Sequence, residues 1–232
     1  MRRREFLRGA AATGPVLAAL AHPQTVPQPG VAQSLPAIAL PKPETKGAKS
    51  LLEALSLRKT SRDLGEEKLS PQMLSNLLWA AFGVNRIESG GRTAPSAMGV
   101  KEMDVYVFLA EGIYLYDAAG HTLKPVLPGD HRSKTGTQAG VGRAPLSLLY
   151  VADLEKYGAA RGMRIEPATQ IAWSNAHAGF IGQNVYLYAA SEGLGAWFRA
   201  MVDVPALTAL LNLRPMQKVM YSQSVGYPAK SA

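Results

Sequence analysis

Residues Gln170–Trp197 read QIAWSNAHAGFIGQNVYLYAASEGLGAW. No Asp, Glu, Lys or Arg occurs between Gln170 and Ser191. Ile171, Trp173, Phe180, Ile181, Val185, Leu187 and Tyr188 fall on every side of a helical wheel, and a helix apolar all round is buried all round. The length would suffice for a membrane span. Gln170, Ser174, Asn175, His177, Gln183 and Asn184 argue against one, because lipid leaves such groups uncompensated. The stretch is therefore expected to be the central, buried helix of a soluble domain. It ends at Gly193-Leu194-Gly195, where glycine stops a helix and leaves backbone bare enough for a flat group to approach.

Downstream, Trp197–Val202 reads as a strand, Asp203 caps a short helix carrying Leu207, Leu210 and Leu211, and Lys218–Val225 is a last strand before Gly226-Tyr227-Pro228. Upstream, Pro145–Ala152 is a buried strand. Asp130–Gly142 is polar and is expected to be a mobile loop. Ile113–Asp117 and Thr122–Val126 form a hairpin around Ala118-Ala119-Gly120, and Met103–Leu109 alternates as a strand. Ser70-Pro71 opens a helix running to Phe82. Ser50–Leu57 is a shorter helix with Leu51, Leu52 and Leu55 on one side. Helices alternating with strands and hairpins give an α+β (mixed α/β) class around one sheet.

The 232 residues suffice for one domain with a sizeable core and an N-terminal extension. Cysteine is absent, which excludes disulfides, thiolate nucleophiles and Cys-ligated metals. His22, His121, His131 and His177 show no metal-ligand spacing. Net charge is +8, of which residues 1–21 hold +3. The body has no basic run interleaved with aromatics, so a nucleic-acid partner has no support. Residues 1–21 have the basic start, short apolar run and Ala19-Leu20-Ala21 of an export signal. Residues 22–49 hold six prolines and read as a linker or arm. Its Ser34–Leu40 segment is free to pack on a neighbour.

Arg58-Lys59-Thr60-Ser61-Arg62 places three cations and two hydroxyls at a helix end, a phosphate cradle or else a solvated basic face. Together with Arg92-Thr93-Ala94-Pro95-Ser96-Ala97, Ser191-Glu192-Gly193-Leu194-Gly195 and Gly226-Tyr227-Pro228, it resembles the nitroreductase-like FMN-dependent oxidoreductases over residues 50–230. The resemblance implies a mostly antiparallel sheet around the buried helix, flanked by helices, in a domain spanning 50–232. It implies FMN as cofactor and a homodimer with FMN at the interface. Arg58, Lys59, Thr60 and Lys230 would hold the phosphate, and Arg62 would support negative charge on the reduced ring. Pro95, Ser96 and Ala97 would cover the flavin from the partner subunit. Glu192, Gly193, Leu194 and Gly195 would lie beside the ring, and Gln183 is a further candidate to turn towards it. No metal and no catalytic side chain is implied.

Arg3-Arg4-Glu5-Phe6-Leu7 resembles the twin-arginine motif, which implies export of a folded, cofactor-loaded protein to the periplasm; an ordinary secretory signal is the alternative. The electron donor is open. Two other functions stay beside the oxidoreductase: a flavin-binding carrier or sensor, and an azoline dehydrogenase of peptide maturation. Met98-Gly99-Val100-Lys101-Glu102 departs from the Gly-Ala-Leu-Tyr-Pro run of the azoline branch. His177 is expected to be a hydrogen-bonded core residue. Trp173, Tyr186 and Tyr188 are expected to be packing residues, and His131 and Arg132 to be solvated.

Overall fold

A computed structural model describes residues 34–47, 49–159 and 163–229. The export-signal reading of 1–21, the arm up to residue 33 and Lys230 lie outside the described residues. Seven strands form one sheet in the order β1-β6-β5-β4-β7-β9-β8, and every neighbouring pair is antiparallel. They are β1 (Ile38–Ala39), β4 (Met103–Phe108), β5 (Gly112–Asp117), β6 (Thr122–Pro128), β7 (Leu146–Asp153), β8 (Gly195–Arg199) and β9 (Gln217–Gly226). A separate pair, β2 (Val84–Arg86) and β3 (Gly91–Arg92), carries the chain into the Pro95–Ala97 loop. The helices are α1 (Leu51–Leu57), α2 (Pro71–Phe82), α3 (Pro167–Ser191) and α4 (Val204–Leu210).

The central strands are apolar on both faces because both are covered. Met103, Val105, Val107, Leu146, Leu148 and Tyr150 point into the core shared with α2 and α3. Tyr106, Phe108, Leu149 and Val151 point into a second core, closed by Leu207 of α4 and Leu211 at its C-cap. A strand buried on both sides loses the alternation of a one-sided sheet, which is why β7 reads as a continuous apolar run.

Local signals act where they are written. The Ser50 and Ser70 side chains accept from the Glu53 and Met73 amides at 3.2 Å, and Asp203 accepts from Ala206 at 3.0 Å. α3 starts at Pro167, one turn before the apolar pattern, because Pro is preorganised for the first helical position. The Pro-rich arm packs on its own sheet: Ile38 and Ala39 pair with Leu123 and Thr122.

Two expectations are corrected. The Asp130–Gly142 loop is pinned. Arg132 binds Asp130 and the Ala144 carbonyl, while fully buried Thr135 accepts from Ser222 and Arg199 through its carbonyl. α3, for its part, is buried on one face only. Ser174, His177, Ala178, Ile181, Val185 and Ala189 are inside, whereas Ala172, Ala176, Gly179, Phe180 and Gln183 form an exposed stripe. The α1 leucines do share a side, but Leu51, Leu52 and Leu55 are 63, 78 and 46 % exposed.

Candidate functional site

Three of the four sequence motifs meet at the C-terminal end of α3. The helix closes as a Schellman turn. Gly193 takes φ 73°, and the Leu194 amide reaches back to the Ala189 carbonyl at 2.8 Å. Nothing lies within 4 Å of where a Gly193 side chain would start, so its backbone faces open space. Gly195 differs: a Cβ there would stand 2.6 Å from Leu64 and 2.8 Å from Ser61. Its bareness admits the chain's own 58–64 segment rather than a ligand. That segment runs beside β8, with Thr60 bridging Ala196 and the Ser61 amide on the Ala196 carbonyl at 2.9 Å. On its other side Leu64 bridges Pro228, and the Gly65 amide binds the Tyr227 carbonyl at 2.8 Å.

A cleft of about 200 Å³ opens here, lined by Lys49, Leu57, Lys59, Ser61, Tyr186, Ala189, Ala190, Gly193, Leu194, Ala196 and Pro228. Tyr186 packs against the core as expected from sequence and is also the hub of the cleft. Its hydroxyl accepts from the Phe198 amide at 2.9 Å and bonds Thr60 Oγ1 at 3.0 Å. The Arg58 guanidinium lies 5.3 Å from its ring centre. Lys49, also missed, donates to the Ser191 carbonyl at 2.9 Å and caps the helix end. Arg62 sits 5.8 Å and Arg199 4.9 Å from the Trp197 ring centre. Arg199 is buried without a carboxylate partner among the described residues; burial lowers it to about 10, so it is charged at neutral pH.

Arg58, Lys59 and Arg62 likewise have no carboxylate within ion-pair distance among the described residues. Lys49, Lys59, the Ser61 hydroxyl and open Gly193 backbone at the cleft fit a planar, phosphate-bearing group. Of the predicted residues, Lys59, Gly193 and Leu194 line the cleft; Arg58, Thr60 and Arg62 flank it on the neighbouring segment, Glu192 caps the helix, and Gln183 stands on the exposed stripe.

The Pro95, Ser96 and Ala97 loop is elsewhere. Its Ala97 amide donates to His177 Nε2, fourteen residues before Ser191, which is roughly 21 Å along the helix. One chain therefore carries the two halves of the expected site at separate points along α3. His177 is the hydrogen-bonded core residue expected, but its partner, Glu102, carried no sequence signal because the two are brought together only by packing. His121 forms a second buried network, receiving the Tyr116 hydroxyl and bonding Ser75 Oγ at 2.7 Å. The Ser75 hydroxyl donates to the Pro41 carbonyl, which leaves it no proton to give His121 and no nucleophile's geometry. Among the described residues no group of three His, Cys, Asp or Glu could hold a metal ion, and no helix is long and apolar enough to cross a membrane.

Comparison with known proteins places this geometry. A nitroreductase-family protein of Methanocaldococcus jannaschii is 31 % identical over 159 residues, covering 62 % of this chain and 75 % of its own. A nitroreductase-family crystal structure from Ralstonia eutropha JMP134 is 40 % identical with a TM-score of 0.79, covering 89 % of this chain and 96 % of that one. The E. coli microcin synthetase McbBCD complex, solved with truncated pro-MccB17 bound, shares the fold alone: 19 % identity and a TM-score of 0.62, over 83 % of this chain and 78 % of that one. The nitroreductase family's sequence model matches residues 55–227, from the end of α1 to the residue after β9. With that match covering the sheet core and most of the cleft lining, the chain belongs to the nitroreductase family of oxidoreductases.

Proposed function

We propose that the protein is an FMN-dependent oxidoreductase that works as a two-fold dimer, passing hydride or electrons between a donor and a small organic acceptor. The observation that carries this reading is the meeting of Lys49, Lys59 and Ser61 with open Gly193 backbone at one cleft, with Arg58 beside it on the Tyr186 ring. Arg58, Lys59 and Thr60 would hold the phosphate, and Gly193-Leu194 would flank the ring. Bound flavin supplies the redox chemistry. The chain binds and orients it, and Arg62, on the segment beside the cleft, would supply a fixed positive charge, the kind of preorganised electrostatics that favours developing negative charge.

The dimer is supported by what one chain leaves uncovered: the α3 stripe around Phe180, 45 % exposed, and the α1 leucines. Pairing two α3 helices antiparallel about an axis near Asn184 would carry the Ala97 loop beside His177 of one copy to the Ser191–Gly193 end of the other. Such a self-complementary contact is the usual symmetric solution. The twin-arginine-like start supports action outside the cytoplasm, where a protein or quinol is a more available donor than NAD(P)H.

The test is to purify the protein, record its absorbance and native mass, and titrate it with FMN. A yellow dimer with an oxidised-flavin spectrum is expected. Folded, colourless protein that ignores FMN would end this reading, and Arg62→Ala with unchanged FMN affinity would remove Arg62 from the site. Turnover with any donor and acceptor separates the oxidoreductase from a carrier or sensor. Dehydrogenation of heterocycle-containing peptides would instead favour the azoline alternative.

A further inference from the structure

His177 and Glu102 hold the 95–101 loop in a way that depends on one proton. Glu102 has no solvent exposure and His177 has 5 %. The Ala97 amide donates to His177 Nε2 at 2.9 Å, so that nitrogen is an acceptor and carries no proton. The ring proton therefore sits on Nδ1, 2.5 Å from Glu102 Oε1, and the ring is neutral. The other Glu102 oxygen accepts from Ser96 Oγ at 3.1 Å, and Ser96 Oγ accepts from the Lys101 amide at 2.8 Å. Both ends of the loop thus close on one buried pair. The loop needs holding, because Met98, Gly99 and Lys101 all have positive φ (54°, 69° and 56°). For the two non-glycine residues that is a sparsely populated conformation, kept only where surroundings enforce it.

We propose that Glu102 and His177 form a proton-operated latch on the 95–101 loop, closed while His177 is neutral and opened when Nε2 takes a proton. A proton on Nε2 would point at the Ala97 N–H, and two donors cannot share one hydrogen bond. The bond is lost and the strained backbone is free to relax. His177 is a positioning residue here, acting through the loop. That release also frees FMN or admits substrate rests on the function proposed above; the latch itself does not.

The surroundings favour this response. α3 brings no charged side chain between Gln170 and Ser191. The 3-10 turn Leu154–Ala159 brings Lys156, which is paired with Asp104 at 2.6 Å and lies 3.5 Å from the Glu102 carbonyl. It also brings Tyr157, its hydroxyl pushed up to about 12 by burial and bonded to Ser174. The loop contributes Lys101. Glu102 is therefore the carboxylate that meets the ring. Burial alone would raise it, but the hydrogen bonds from His177 and Ser96 hold it below the usual carboxylate range, so it stays ionised when the ring is protonated.

The test follows amide exchange across residues 97–101 together with the His177 ring nitrogens by NMR, from pH 8 to pH 5, in the full chain with and without FMN. After correction for intrinsic exchange, the Ala97 amide is expected to lose protection by about tenfold, the scale of one hydrogen bond, with the midpoint of the ring titration. His177→Gln can accept from Ala97 and donate to Glu102 without titrating, so it keeps protection and loses the step. An Ala97 amide still protected when the ring is protonated, or a step that survives in His177→Gln, overturns the latch. FMN release that accelerates through the same midpoint, and not in His177→Gln, ties the latch to the cleft. Protein that binds no FMN at any pH refutes the proposed function, while the exchange data still judge the latch.

Discussion

Tyr186 carries two hydrogen bonds and a cation on one side chain, and so joins α3, β8 and the 58–62 segment. Tyr186→Phe keeps the ring but leaves the Phe198 amide without a partner. A cost of about 1–3 kcal/mol is expected, or a Tm lower by roughly 2–12 °C in a chain of this size, together with weaker FMN binding. Thermal unfolding and flavin titration of the variant check both. Glu102 sets a pH dependence of its own. Its folded pKa lies below the unfolded value, so the stability it contributes is present above the unfolded carboxylate range and is lost as pH falls through the folded value. Urea unfolding followed from pH 6 down to about pH 3 is expected to show a declining stability that is flatter in Glu102→Gln. Legibility at this scale divides by cause. Arg58–Arg62 and Gly193 were readable because each motif is local, and Tyr186 was not, because its partners come from β8 and the loop before it.

At the scale of the element, α3 is one helix with two different glycines. Gly182 faces the sheet, where an added methyl would stand 2.6 Å from the Phe198 ring, itself packed on Tyr150 and Tyr221. Gly179 is exposed, with nothing within 4 Å. Helix propensity favours Ala at both by about 1 kcal/mol. Gly182→Ala is nevertheless expected to destabilise by about 1–3 kcal/mol through overpacking, whereas Gly179→Ala leaves the fold intact. Denaturant unfolding of the two variants decides it; equal behaviour would contradict the packing described here. The uncharged, all-round apolar reading of α3 identified a helix but overstated its burial. Apolar residues on a helix do not say whether their cover comes from the same chain or from another copy.

At the scale of the whole molecule, the uncovered stripe and the separated halves of the site make one prediction. Phe180→Arg, at a half-exposed position on the outer face of α3, is expected to halve the native mass and to weaken FMN binding at least tenfold, with little change in far-UV dichroism. A dimer that persists, or a monomer that binds FMN as well as the parent, would separate assembly from cofactor. Within the described residues the sequence by itself determined the elements. Capping serines, Pro at first helical positions, the turn at Gly193 and the doubly apolar β7 act through neighbours a few residues away. It also determined the family, since the motifs are short and keep their order. Only the tertiary structure decided that Gly195 makes room for Leu64 instead of a ligand, that the 130–142 loop is pinned by Arg199 and Ser222, that Glu102 meets His177, and that the Ala97 loop stands apart from Gly193. Each joins residues distant along the chain, and such contacts are selected by packing and by the need to pair buried polar groups, which no local pattern records.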